Sequence, residues 1–115
     1  MTVRIAVVIL LALTGSASAH AFLLHARPAA GATLDSPPKD VNLDFSEALE
    51  PTFSNVAVVD GSGHPVTAAA SAARGTRMSV ALQPLKPGAY SVTWHALSVD
   101  THRTQGSFRF TVKPR

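Results

Sequence analysis

The fold is decided by the stretch Pro87-Gly88-Ala89-Tyr90-Ser91-Val92-Thr93-Trp94-His95-Ala96. Every second residue from Tyr90 to Ala96 is apolar or aromatic, and successive side chains of a strand point to opposite faces of the sheet. This alternation predicts a strand with one buried face. A tyrosine shortly after a Pro-Gly turn is typical of the tyrosine corner of Greek-key sandwiches, where the phenolic hydroxyl bonds to nearby backbone.

The same alternation recurs along the rest of the chain. It is seen in three further runs: Val41, Leu43 and Phe45; Met78, Val80 and Leu82; and Phe108, Phe110 and Val112, which follow Gly106 as the expected start of the last strand. Turn signals separate the runs, and no convincing helical period interrupts them. The segment 67–73 is either a loop or a weak edge strand. About seven short strands predict an all-β, antiparallel Greek-key β-sandwich or barrel of the cupredoxin-like or immunoglobulin-like type.

Residues 1–19 have the pattern of a cleaved secretory signal peptide. Arg4 precedes the apolar run 5–13, and Ala17-Ser18-Ala19 forms a small-residue cleavage site. The apolar run is too short to cross a bilayer, which requires about 20 residues. We therefore expect an exported, soluble mature domain of residues 20–115, which begins with His20.

Composition excludes several kinds of site. The chain has no cysteine, so neither a disulfide nor a thiolate metal site is available. Removal of Arg4 with the signal peptide leaves nine Lys and Arg against seven Asp and Glu. These charges are scattered and accompanied by few aromatic residues, which argues against nucleic-acid binding.

Two regions could together hold a metal ion. Asp100 and His102 are two residues apart, so an extended backbone would direct a carboxylate and an imidazole to the same side. An N-terminal His20 would add two nitrogens, because an α-amine with a pKa of about 7.7–8.0 is a usable ligand near neutral pH. The alternatives are a solvated turn at Asp100-Thr101-His102 and a histidine that merely follows the cleavage site.

The combination of these features resembles the CopC/PcoC family of periplasmic copper-binding proteins. The features are His20 at the mature terminus, Phe45-Ser46-Glu47, the run from Pro87 to Trp94, and Asp100-Thr101-His102. The resemblance implies a periplasmic carrier or buffer for copper in homeostasis and resistance, which is not an enzyme. It implies one Cu(II) per mature chain, held by His20, Asp100, His102 and, as in many members, Glu47. Glu50 is a poorer candidate than Glu47 because it precedes Pro51.

The resemblance has further implications for ligands and partners. Some members carry a second, methionine-rich Cu(I) site, whereas the mature chain has only Met78, at a predicted core position. Because Cu(I) prefers thioether or thiolate donors, we expect no Cu(I) site. The family association suggests an inner-membrane CopD-like partner, and we expect a monomer.

Other readings of the sequence remain open. Zinc would accept the same imidazoles and carboxylate, and Asp100 could instead orient a ligand from outside the coordination shell. His64 and His95 are expected to be exposed and not ligands, and His25 is a weak candidate. The alternative functions are a histidine-brace copper oxidase and a sandwich module that binds no metal. The oxidase is disfavoured because nearly all seven aromatic residues occupy predicted inward positions, leaving no substrate platform.

Overall fold

A computed structural model describes residues 21–115, which form eight strands and one short 3-10 helix at Pro51–Phe53. The strands are β1 (Leu23–Arg27), β2 (Thr33–Leu34), β3 (Asp40–Phe45), β4 (Asn55–Asp60), β5 (Ala72–Arg74), β6 (Arg77–Ala81), β7 (Gly88–Leu97) and β8 (Arg103–Val112). No helical segment in this part of the chain is long and apolar enough to cross a membrane.

The strands form two four-stranded sheets, ordered β1-β3-β6-β5 and β2-β8-β7-β4. The first order corresponds to strands A-B-E-D of the immunoglobulin fold, and β4, β7 and β8 correspond to C, F and G. The predicted all-β Greek-key sandwich is therefore confirmed.

The core lies between the sheets and follows the predicted alternation. Tyr90, Val92, Trp94 and Ala96 of β7 are all buried, as are the predicted inward residues of β3 and β6. The ring of Trp94 meets Phe45 edge to face, with ring centroids 5.1 Å apart. The Tyr90 hydroxyl donates a hydrogen bond to the Lys86 carbonyl oxygen at 2.5 Å, which confirms the tyrosine corner.

Three details of the strand prediction were wrong or incomplete. Strand β2 was missed, because two residues are too few for any alternation, and it pairs with β8 in parallel instead of antiparallel. The ambiguous segment 67–73 contains the start of the edge strand β5. Strand β8 begins at Arg103 and not at Gly106, since its first residues continue the ladder with β7.

Gly106 has a packing role that its position on the ladder explains. It is the cross-strand partner of Trp94, and the indole lies across its backbone. A Cβ atom at Gly106 would stand 2.6 Å from Cζ2 of Trp94. Because Trp94 is almost fully buried against Phe45, the ring has little room to withdraw.

We therefore expect Gly106→Ala to lower the free energy of unfolding by about 1–3 kcal/mol, the usual cost of overpacking a core. Urea unfolding followed by Trp94 fluorescence would measure the change. Ser107→Ala, at the next and exposed position of β8, is the matched control and should leave the midpoint nearly unchanged. Equal midpoints for Gly106→Ala and the parent chain would contradict this account of the Trp94 packing.

Candidate metal centre

Two loops run side by side at one end of the sandwich. The first, residues 46–50, follows β3 and carries Glu47; the second, residues 98–102, joins β7 to β8. The Val99 amide donates to the Ala48 carbonyl oxygen at 3.1 Å, and the Glu50 amide donates to the Leu97 carbonyl oxygen at 2.8 Å. These backbone bonds hold the two loops together as one unit.

The loop from Ser98 to His102 is a tight hairpin turn. The Ser98 amide donates to the His102 carbonyl oxygen at 3.0 Å, and the Thr101 amide donates to the Ser98 carbonyl oxygen at 2.9 Å. Thr101 has a φ of 71°, in the left-handed region. The expectation of extended backbone from Asp100 to His102 is therefore wrong, because the chain reverses direction within these residues.

Ser98 and the turn together hold the backbone of His102. Ser98 is fully buried, and its Oγ accepts a hydrogen bond from the His102 amide at 3.3 Å. The left-handed conformation of Thr101 costs a β-branched residue about 1–2 kcal/mol, which the surrounding hydrogen bonds must offset. The side chains of Asp100 and His102 thus project from a turn whose backbone is held at several points.

The predicted ligands differ in how the structure places them. Asp100 and His102 are exposed, Glu47 is half-buried, and all three lie on the two joined loops. Within residues 21–115, however, no three His, Asp or Glu side chains converge closely enough to hold a metal ion. The remaining predicted ligand, His20, lies outside the described residues, as does the predicted signal peptide of residues 1–19.

The first described residues are held by the loop of Glu47 and by the start of β8. Ala21 is fully buried, and its carbonyl oxygen accepts a hydrogen bond from Thr104 Oγ1 at 2.8 Å. The Phe22 amide donates to Ser46 Oγ at 2.8 Å, and the Ser46 amide donates back to the Phe22 carbonyl oxygen at the same distance. The chain directly after His20 is thus held beside both Glu47 and the hairpin.

These hydroxyl contacts were not found from the sequence. The sequence shows Ser46 only as part of the motif Phe45-Ser46-Glu47, and it predicts no role for Thr104 or Ser98. Thr104 reaches a residue 83 positions away along the chain, so no local spacing could reveal the contact. Ser98 directly follows β7, and the alternation of apolar residues in that strand does not predict that a polar side chain is buried there.

The other histidines lie apart from this centre. His95 is exposed on the outer face of β7, and His64 is exposed in the turn after β4, with Nδ1 3.8 Å from Asp60 Oδ1. Both placements agree with prediction. His25 is exposed on β1 and pairs across the ladder with Asp44. A cavity of about 350 Å³ involves His95, Phe53 and Arg103 but none of the predicted ligands.

The sequence of this chain matches a known protein family. The family model of the CopC domain matches residues 23–113. The chain belongs to the CopC family. This CopC-family chain is 37% identical over 106 residues to copper resistance protein C of Pseudomonas syringae pv. tomato. The aligned region covers 84% of this chain and 83% of that protein.

Two solved structures share the fold of this CopC-family chain. The crystal structure of CopC from Methylosinus trichosporium OB3b has a TM-score of 0.77 and 30% identity, covering 84% of this chain and 96% of the other. PcoC of Escherichia coli, described as a methionine-rich copper resistance protein, has a TM-score of 0.72 and 34% identity, covering 82% and 99% of the two chains.

This chain differs from that methionine-rich relative in composition. It has two methionines, Met1 and Met78. Met78 is fully buried on β6, where it belongs to the hydrophobic core between the sheets, as predicted. Its sulfur is therefore committed to packing and is not presented to solvent.

Proposed function

We propose that the mature protein, residues 20–115, binds one Cu(II) ion through His20, Asp100 and His102, with Glu47 as a further ligand. It then acts as a periplasmic copper carrier or buffer in homeostasis and resistance. The observation that carries this proposal is the joining of three segments at one end of the sandwich. The loop of Glu47 is hydrogen-bonded to the hairpin of Asp100 and His102. The chain directly after His20 is hydrogen-bonded to Ser46 of that loop and to Thr104 of β8, two residues after His102.

The donor set suits Cu(II). An imidazole and a carboxylate from the hairpin, together with the ring and amine nitrogens of His20, would make a nitrogen-rich site with oxygen. Such ligands favour Cu(II), which binds more tightly than Zn²⁺ to most sites of this kind. The three described side chains, Glu47, Asp100 and His102, do not form a metal site by themselves. The proposal therefore relies on the ring and amine nitrogens of His20, and a free amine there requires cleavage after Ala19.

Exposure of the hairpin supports a carrier role. Asp100 and His102 are both accessible at the surface, next to the exposed Val99. An ion held there can be transferred to a partner without opening the core of the sandwich. We propose that the protein works as a monomer and that an inner-membrane CopD-like protein is its partner.

Membership of the CopC family favours copper carriage over the two alternative functions. The prediction that nearly all aromatic residues point inward, which disfavoured the oxidase, is wrong for Phe22 and Phe53, which are exposed by 53% and 59%, respectively. Neither lies in a regular strand, since Phe22 precedes β1 and Phe53 belongs to the 3-10 helix. Phe45, Tyr90, Trp94 and Phe110 are buried as predicted, whereas Phe108 is only half-buried.

Copper titration of a chain that begins at His20, monitored by electron paramagnetic resonance, tests the proposal. We expect one Cu(II) per chain with a spectrum that shows nitrogen coordination. A competition assay under reducing conditions should show no tight, stoichiometric uptake of Cu(I), because Met78 is buried. Failure to bind Cu(II) would contradict the proposed function, and stoichiometric Cu(I) binding would contradict the proposed donor set.

A further inference from the structure

We propose that Thr104 and Ser46 are positioning residues for the N-terminal histidine. Their hydroxyl groups, with the backbone of Ala21 and Phe22, form what we call the N-terminal clamp. This inference rests on the proposed function, since it assigns the clamp the task of holding the start of the mature chain ready for Cu(II). Neither hydroxyl is proposed to touch the metal ion.

The Thr104 half of the clamp joins the terminus to the hairpin. Thr104 lies two residues after His102 on β8, opposite the buried Ala96 of β7. From that position Oγ1 donates to the Ala21 carbonyl oxygen at 2.8 Å. That carbonyl belongs to the residue joined to His20 by a single peptide bond. The bond therefore holds the residue that follows His20 against β8, two positions along the chain from His102.

The Ser46 half joins the terminus to the other loop. Ser46 directly precedes Glu47, and it exchanges two hydrogen bonds with Phe22: Oγ accepts from the Phe22 amide and its own amide donates to the Phe22 carbonyl oxygen, both at 2.8 Å. This pairing continues the ladder of β1 and β3 by using a side chain where regular backbone pairing stops. Phe22 is consequently held against the residue that directly precedes Glu47.

The burial of Ala21 completes the clamp. The first residues of most domains are poorly ordered unless they are held by specific contacts, yet Ala21 is fully buried as a member of the core. A terminus that is already ordered loses less conformational freedom when a metal ion binds, and such preorganisation increases affinity. We therefore expect the clamp to increase the affinity of the proposed His20 site for Cu(II).

The test compares Thr104→Val, which removes the hydroxyl, with Thr104→Ser, which retains it, in chains beginning at His20. Thr93→Val, at an exposed position of β7, is the matched control. We expect Thr104→Val to weaken Cu(II) binding about three- to tenfold, the effect of losing one hydrogen bond. Thr104→Ser and Thr93→Val should bind as the parent does. The paramagnetic resonance spectrum should keep the same nitrogen donors in every variant.

A second measurement does not depend on copper. In the metal-free protein, hydrogen exchange of the Phe22 amide should be several-fold faster in Ser46→Ala than in the parent, and an aminopeptidase should remove His20 faster from Thr104→Val. Urea unfolding would establish that each variant is folded, so that a general loss of stability is separated from release of the terminus.

The outcomes separate the two proposals. If the parent binds Cu(II) and Thr104→Val matches it in affinity and in aminopeptidase rate, the clamp is refuted and the proposed function stands. If the parent chain binds no Cu(II), the proposed function fails and the positioning role fails with it. Weaker binding by Thr104→Val, restored in Thr104→Ser, supports both.

Discussion

A chain that begins at His20 should bind Cu(II) far more tightly than the same chain with Ala19 retained. The extra residue converts the α-amine of His20 into an amide, and a neutral amide nitrogen is a poor metal ligand. The chelate between the amine and the ring of the same residue is then lost. We expect the affinity to fall by more than the roughly 10–100-fold that loss of an outer-shell partner costs, and a Cu(II) competition assay would measure it.

Two controls strengthen this comparison. Acetylation of the His20 amine blocks the same nitrogen without adding a residue, and it should weaken binding as strongly as Ala19 does. An alanine added after Arg115 lengthens the chain equally and should have no effect. Acidification should also weaken binding by the parent, because ligands must lose their protons to bind the metal. Indistinguishable affinities with and without Ala19 would remove the amine from the site.

His102→Ala should weaken Cu(II) binding at least about tenfold, and more than Glu47→Ala does. The first change removes an imidazole nitrogen from the hairpin, whereas Glu47 is a supplementary oxygen donor. Both variants should keep the parent unfolding midpoint, since His102 is exposed and Glu47 is only half-buried. Competition with a chromophoric Cu(II) chelator would rank the affinities.

His95→Ala is the matched control for His102→Ala. His95 is also an exposed histidine of the β7–β8 hairpin, but it lies on the outer face of the sheet, away from the joined loops. Its removal should leave Cu(II) affinity unchanged. Equal losses in His102→Ala and Glu47→Ala would show that the two roles are wrongly assigned, and an equal loss in His95→Ala would point to non-specific copper binding by surface histidines.

The β-class of this protein is readable from the sequence because strand alternation is a local property. The burial of Tyr90, Val92, Trp94 and Ala96 follows from their spacing alone, and so does that of Met78 and Val80 on β6. The tyrosine corner is local too, since Tyr90 bonds to Lys86 within one turn. Prediction was weakest at β2 and β5, where two or three residues carry too little pattern and the partner strand decides the conformation.

The candidate site, like the fold, was only partly predictable from the sequence. The sequence by itself determined which residue types offer nitrogen and oxygen donors: His20, Asp100, His102 and Glu47. It did not determine the backbone that presents them, because the same Asp-x-His spacing occurs in a strand or a turn, and the hydrogen bonds of Ser98 favour the turn. Only the tertiary structure joined the residues after His20 to β8 and to the loop of Glu47, since Ala21 and Thr104 are 83 positions apart and Phe22 and Ser46 are 24 apart. Contacts over such separations depend on the packing of the whole sandwich and leave no periodic pattern in the sequence.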